Sequence, residues 1–282
     1  MNHAVLPHHG DADARERWRG IFGRFGTIVL VANSDAVDVS TLRSSYGEST
    51  LFVFFNKVYK VLDRRFEGPC LLVARSGPAG ANIVYRREVP DVLRLVDGAG
   101  FLGICNLRAG QHERFSEPAE FGNACPVGHL DCAADLADFY PSTHVATSGF
   151  ALALFLLELL PESRIVLAGF TARRSVRWKL FADHDWTFEQ IVQRLLLRAG
   201  RLQSANAAPE DVLSPIARRF PELRNADVAS VAAEVVAERL EGANLAIDDL
   251  LRLTRAQRRL DNALRRLKPR TRKQKLGDAA GG

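Results

Sequence analysis

Thr27-Ile28-Val29-Leu30-Val31-Ala32 runs without interruption into Asn33-Ser34-Asp35-Ala36. The first part of this stretch is uncharged and rich in β-branched side chains. A half-exposed strand alternates apolar and polar residues, so an unbroken run reads as a strand covered on both faces. The same device recurs along the chain. Leu51–Phe55 ends in Asn56, and Cys70–Ala74 runs into Arg75-Ser76-Gly77-Pro78-Ala79-Gly80. Phe101–Cys105 ends in Asn106, and Arg164–Phe170 closes on Ala168-Gly169-Phe170. Helical or irregular segments separate these runs. Buried strands alternating with helices predict an α/β chain with a mostly parallel sheet. Sheets of that kind take ligands just outside the carboxyl ends of their strands.

The expected architecture is Rossmann-like, with a helical C-terminal appendage. Residues 1–20 are polar and read as a loose tail or a short helix, 21–205 as the sheet domain, and 206–282 as a helical, basic extension. Thr147–Leu160 reads as an almost wholly apolar helix. A second helix is expected over Thr187–Ala199, with Thr187 and Gln190 as a capping box. In the extension, Val228–Leu240 and Ile247–Leu267 are amphipathic. Leu253, Leu260 and Leu267 recur at heptad spacing, with Ala256 and Ala263 between them. Between Arg252 and Lys275 the only acid is Asp261, so this segment reads either as a solvated helix face or as a dock for an anionic membrane surface. It lacks interleaved aromatic residues for base stacking, so no nucleic-acid partner is expected.

The 282 residues are 47% hydrophobic and 25% charged, with a net charge of +5, which suits an ordinary globular protein with ample core. The longest apolar stretch, Gly149–Leu160, is too short to span a bilayer and contains Glu158. Residues 1–20 contain no apolar segment of the secretory kind. Cys70, Cys105, Cys125 and Cys132 follow no metal-ligand spacing. These features lead us to expect a cytoplasmic protein with reduced thiols, at most peripheral on the inner face of a membrane.

Three local signals carry chemistry. The first is Asn33-Ser34 after one strand, with Asn56 after the next. The second is Thr147-Ser148-Gly149 opening the apolar helix, with Gly169-Phe170 closing the following strand. The third is His184-Asp185-Trp186-Thr187-Phe188-Glu189. Asparagine amides offer both donor and acceptor atoms to a nucleotide. A helix opening at Gly149 offers free N–H groups and a positive dipole end to a phosphate, and glycine there permits close approach. His184, just before a helix N-terminus, is disfavoured as imidazolium and so suits a general base near neutral pH. Each residue also has a plain structural reading. Asn33 and Asn56 serve as turn or strand-end residues, Thr147 and Ser148 as helix caps, and His184 as a cap.

In order and context these signals resemble the sialyltransferase motifs of glycosyltransferase family 29. Asn33-Ser34 and Asn56 look like the large motif, and Thr147-Ser148-Gly149 with Gly169-Phe170 like the small motif. His184, Asp185, Phe188 and Glu189 look like the very small motif. The resemblance covers residues 27–190. It implies a CMP-activated donor carrying an acidic sugar of the sialic acid or Kdo type, without a metal. It implies a saccharide or lipid-linked glycan acceptor, in capsule or lipopolysaccharide synthesis. His184 is implied as base. Asn33, Ser34, Asn56, Thr147, Ser148, Gly149 and Gly169 are implied at the donor, with Asp185 and Glu189 in support. The chain departs from the family pattern in lacking the cysteines that link the large and small motifs. The segment between Phe170 and His184 is short and holds no second histidine for the donor phosphate, and Arg173, Arg174 or Arg177 are the available substitutes. Two other readings stay open. One is a metal-dependent transferase of nucleoside-diphosphate sugars acting through Asp183 and Asp185. The other is a non-enzymatic assembly protein that binds a partner through its C-terminal helix.

Overall fold

The computed structural model describes residues 5–75, 82–123, 125–171, 181, 183–205, 224, 226–227, 229–241, 244–245, 247, 249–250 and 254. The chain divides into two compact units, Met1–Ala208 and Pro209–Gly282.

The first unit is an α/β domain on a parallel sheet. Its strands are β1 (Thr27–Val31), β2 (Thr50–Phe55), β3 (Cys70–Arg75), β4 (Phe101–Arg108), β5 (Val127–Asp131), β6 (Arg164–Ala168) and β7 (Gln203–Ser204). They lie in the order β5-β4-β3-β2-β1-β6-β7, and every neighbouring pair is parallel. The order reverses beside β1. The chain steps outward from β1 to β5, then returns to lay β6 on the other side of β1. Ligands of open α/β sheets lie at such a reversal.

The unbroken apolar runs are explained by two cores. Ile28, Leu30, Leu51, Val53, Leu71, Val73, Ile165 and Leu167 point to one face. Val29, Val31, Phe52, Phe54, Leu72, Ala74, Val166 and Ala168 point to the other. The first face is covered by α1 (Ala14–Phe22), α4 (Ala133–Ala137), α5 (Ser148–Leu159) and α6 (Trp186–Arg198). The second is covered by α2 (Val39–Ser45), α3 (Val89–Val96) and short turns at Val58 and Phe121. Since successive side chains alternate between faces, both odd and even positions of these central strands must be apolar. Helix α5 is apolar on nearly every side because most of it is buried.

The N-terminal segment corrects one expectation. Of the two readings, loose tail or short helix, the helix is present as α1, and from Leu6 onward the segment is built into the sheet domain rather than left as a tail. Leu6 and Trp18 are each 1% exposed, and Ile21 and Phe22 are buried with them. The segment seals β5, an edge strand whose outward backbone groups need partners. The His129 N–H donates to the Pro7 carbonyl at 2.8 Å, and the Trp18 indole N–H donates to the His129 carbonyl at 2.9 Å. Gly128 allows the close approach, since a Cβ there would meet Leu6 and Pro7.

Two smaller expectations also change. Asn106 lies inside β4 rather than after it. It is fully buried, donating to the Ala74 carbonyl and accepting from the Ser116 N–H. The α6 cap is Asp185, whose carboxylate accepts from the Phe188 N–H at 2.9 Å, so Thr187 lies within the helix and is not its cap.

In the second unit residues 229–241 are helical, and Val231, Val235, Val236 and Leu240 are exposed. Apart from Thr254, the basic segment 252–275 lies outside the described residues, as do Leu260 and Leu267. Among the described residues no helix is long and apolar enough to cross a membrane.

Trp18→Ala separates an integral segment from a tail. Truncating a fully buried tryptophan costs about 3–5 kcal/mol. Urea denaturation should show a loss of that size with the slope unchanged, and an unaltered midpoint would return residues 5–22 to the role of a tail.

Candidate active site

Strand register explains why the sequence motifs meet. Val31 of β1 is level with Phe54 of β2 and with Ala168 of β6. Val73 of β3 is level with Phe55, and Leu107 of β4 with Arg75. The residues just beyond these positions therefore share one edge: Asn33, Asn56, Arg75 and Gly169.

Both asparagines finish strands. Asn33 Nδ2 donates to the Phe55 carbonyl at 2.8 Å. A carbonyl only accepts, so this bond fixes the amide's orientation. The opposite atom, Asn33 Oδ1, is buried and, among the described residues, has no partner. Asn56 sits at φ +41°, a left-handed conformation that asparagine tolerates and that stops β2. Its Oδ1 accepts from the Arg75 N–H at 3.2 Å, and among the described residues its Nδ2 has no partner. One amide thus holds an unmet acceptor and the other an unmet donor. Ser34 Oγ serves the turn after β1 by accepting from the Ala36 N–H.

The glycines of the second motif answer to packing. Gly169 has φ +77°, and a Cβ there would collide with Val37 and crowd Ser34. A Cβ on Gly149 would fall 2.5 Å from the Phe170 ring, so that ring occupies the space expected for a ligand. Thr147 caps α5, its Oγ1 accepting from the Phe150 N–H at 3.2 Å. The N–H groups of Ser148 and Gly149 open the helix without intrahelical acceptors.

Glu189 joins the second and third motifs. Its Oε1 accepts from the Thr147 N–H at 2.7 Å and from the Tyr140 hydroxyl at 2.9 Å, and its Oε2 accepts from Thr147 Oγ1 at 2.7 Å. Tyr140 in turn accepts from the Asp185 N–H at 3.0 Å. Glu189 is 2% exposed. Burial raises its pKa above the ordinary carboxyl value, opposed by the bonds from Thr147 and Tyr140.

His184 lies beside this clamp. Its Nδ1 is 2.6 Å from the Val145 carbonyl, which requires the proton on Nδ1 and leaves Nε2 as the basic atom of the neutral ring. Burial lowers its pKa below 6.5. The Val145 carbonyl opposes this shift, the Arg75 charge adds to it, and Asp183 and Glu113 oppose it. Burial therefore favours the neutral imidazole near pH 7.

Arg75, Glu113 and Tyr140 complete the cluster and were not singled out from sequence. Arg75 donates from Nε to Glu113 and from Nη1 to the Ala146 carbonyl, each at 2.5 Å. Glu113 also accepts from the Ala109 and Gly110 N–H groups at 2.9 Å. The available signal was position, since Arg75 is the charged residue at the carboxyl end of a buried strand.

Arg173, Arg174 and Arg177 lie outside the described residues. Asp185 uses its carboxylate to cap α6, and Asp183 accepts from the Val145 N–H through its backbone carbonyl. Among the described residues, no group of histidine, cysteine and acidic side chains is disposed to hold a metal ion. Burial pushes the Cys70 thiol up to about 12 and those of Cys105 and Cys132 well above the ordinary value, which makes them inert core groups. An open apolar groove among α4, α5 and α6, bordered by Leu136, Phe139, Phe155, Val192 and Leu195, shares no residue with this edge. No protein-family model and no curated protein matches the chain.

Glu189→Ala leaves the Tyr140 hydroxyl and both Thr147 donors without their acceptor. Unsatisfied buried donors cost about 1–3 kcal/mol each, so a loss on the order of 3 kcal/mol is expected in chemical denaturation. A loss under about 1 kcal/mol would mean that water replaces the carboxylate and that the clamp is dispensable.

Proposed function

We propose that this chain is a glycosyltransferase of the sialyltransferase-like kind. On this reading it moves an acidic sugar of the sialic acid or Kdo type from CMP to a saccharide or lipid-linked glycan. The observation that carries the proposal is the meeting of three sequence-distant motifs on the carboxyl edge of β1, β2 and β6, at the reversal of strand order. Asn33 and Asn56, the opening of α5, and His184 are linked there through Phe55, Arg75, Val145 and Thr147.

The chemistry left over at this edge fits a nucleoside monophosphate. The unmet acceptor of Asn33 calls for a ligand hydroxyl or amino group, reached with a small shift of the turn at residues 33–36. A ribose hydroxyl or a cytosine amino group supplies such a donor. The free amide donor of Asn56 and the first N–H groups of α5 suit ribose or phosphate oxygens. His184 Nε2 takes the proton of the acceptor hydroxyl as that oxygen bonds to the anomeric carbon. The bond from the anomeric carbon to the phosphate oxygen breaks, and its electron pair leaves with CMP. Asp185 and Glu189 hold the histidine segment and stay outside the bond changes.

Calorimetry tests the donor. CMP should bind in EDTA and UDP should bind more weakly, whereas strict dependence on a divalent cation would favour the nucleoside-diphosphate reading. Asn33→Ala should weaken CMP about fivefold, the equivalent of about 1 kcal/mol for one lost hydrogen bond. His184→Asn should lower turnover by about 10²- to 10⁴-fold with CMP affinity retained.

The pH profile follows from the lowered histidine pKa. His184 works as the neutral ring, so the acid limb of kcat/KM should be centred below 6.5, the ordinary histidine value. An acid limb centred above 6.5 would assign it to another group.

A further inference from the structure

The segment Val145-Ala146-Thr147 is held at successive backbone groups by side chains from three other parts of the domain. The Val145 carbonyl takes His184 Nδ1, the Ala146 carbonyl takes Arg75 Nη1, and the Thr147 N–H donates to Glu189. The Val145 N–H adds a bond to the Asp183 carbonyl at 2.9 Å. Arg75 is the member that reaches across the sheet edge, and Glu113 fixes it. Its side chain is 13% exposed and that of Glu113 is 19%. Glu113 is fixed in turn by the Ala109 and Gly110 N–H groups just past β4.

From this geometry we infer that Arg75 and Glu113 are a positioning pair for His184, setting the aim of its ring through the segment 145–147. The inference rests on the reading of His184 as the base. Arginine suits the task because it is a rigid fork that engages a carboxylate and a carbonyl at once, which a lysine ammonium on a flexible stem does not reproduce. Removing the bond to the Ala146 carbonyl frees the strip that carries the Val145 carbonyl, and with it the acceptor that fixes the histidine tautomer. The pair also sets the local field. The charged groups facing His184 are Arg75 from β3, Glu113 from the loop after β4, and Asp183 from its own segment. Arg75 disfavours the imidazolium, while Glu113 and Asp183 favour it, so the two members of the pair oppose each other.

That opposition gives a test which a merely structural ion pair would fail. The His184 ring protons are assigned by their loss in His184→Asn, and their titration is followed by NMR. Arg75→Gln should raise the midpoint and Glu113→Gln should lower it. The double variant Arg75→Gln, Glu113→Gln should return it toward the starting value. Arg75→Lys keeps the charge and should leave the midpoint in place, yet lower turnover about 10- to 100-fold through misplacement of the base. If a single Gln variant fails to fold, the Lys and double variants carry the test. A midpoint that stays fixed in both single variants, or full turnover in Arg75→Lys, overturns the inference. If the midpoint moves in these variants while the acid limb of kcat/KM does not follow, the positioning pair stands and His184 is not the base.

Discussion

Every strand of the sheet runs in the same direction, and the domain's chemistry is a consequence of that constraint. Parallel strands need a crossover between each pair, so both faces of the sheet are covered, and both sides of the central strands β1, β2, β3 and β6 are apolar. No polar group can then sit within the strands without a dedicated partner, as Asn106 has. Polar residues are driven to the strand ends, and parallel direction puts all carboxyl ends on one edge. The registers of β1 with β2 and β6 make those ends level. Residues that follow different strands, far apart in sequence, become neighbours for this reason alone.

The return from β5 to β6 sets the second requirement. Helix α5 is buried along most of its length, so the backbone groups at its cap are met from within the domain. Thr147 satisfies the Phe150 N–H, and Glu189 satisfies the Thr147 N–H and hydroxyl. A glutamine could not serve equally, because half of its amide donates where all the surrounding groups donate. The buried carboxylate meets a desolvation penalty that three hydrogen bonds only partly offset, hence its raised pKa. What that penalty secures is placement. The start of α6 is tied to the start of α5, and His184, just before α6, is held against the Val145 carbonyl.

Much of this was legible in the sequence where one physical cause dominated. Strands β1, β2, β3, β4 and β6 are unbroken apolar runs because they are buried twice over. Strand β5 was missed because Val127-Gly128-His129-Leu130-Asp131 answers to the N-terminal segment. Gly128 makes room for Leu6, and His129 exchanges backbone bonds with Pro7 and Trp18. That pairing spans more than a hundred residues and leaves no local pattern. Helix α1 carried a signal, since Trp18, Ile21 and Phe22 share one helical face, and charged neighbours left its reading open between a loose tail and a short helix. Arg75 was hidden for a different reason. A charged residue at a strand end reads as the start of a turn, and only the fold brings Glu113 and Ala146 to it. The motif residues themselves were found, although the need for Gly149 and Gly169 is met by Phe170, Val37 and Ser34 packing against them.

For the two asparagines, the strand-ending role and the proposed ligand-binding role are two sides of one amide. A side-chain amide has one acceptor end and one donor end, and capping a strand uses only one of them. Asn33 gives its donor to the last carbonyl of β2, and Asn56 gives its acceptor to an N–H of β3. Each bond fixes which way the amide faces, so the leftover atom is determined: an acceptor at Asn33 and a donor at Asn56. Aspartate at either position would supply no donor, and serine would lack the reach to cap one strand while leaving a second atom over. The requirement to finish parallel strands thus decides which hydrogen-bonding atoms this edge has left over.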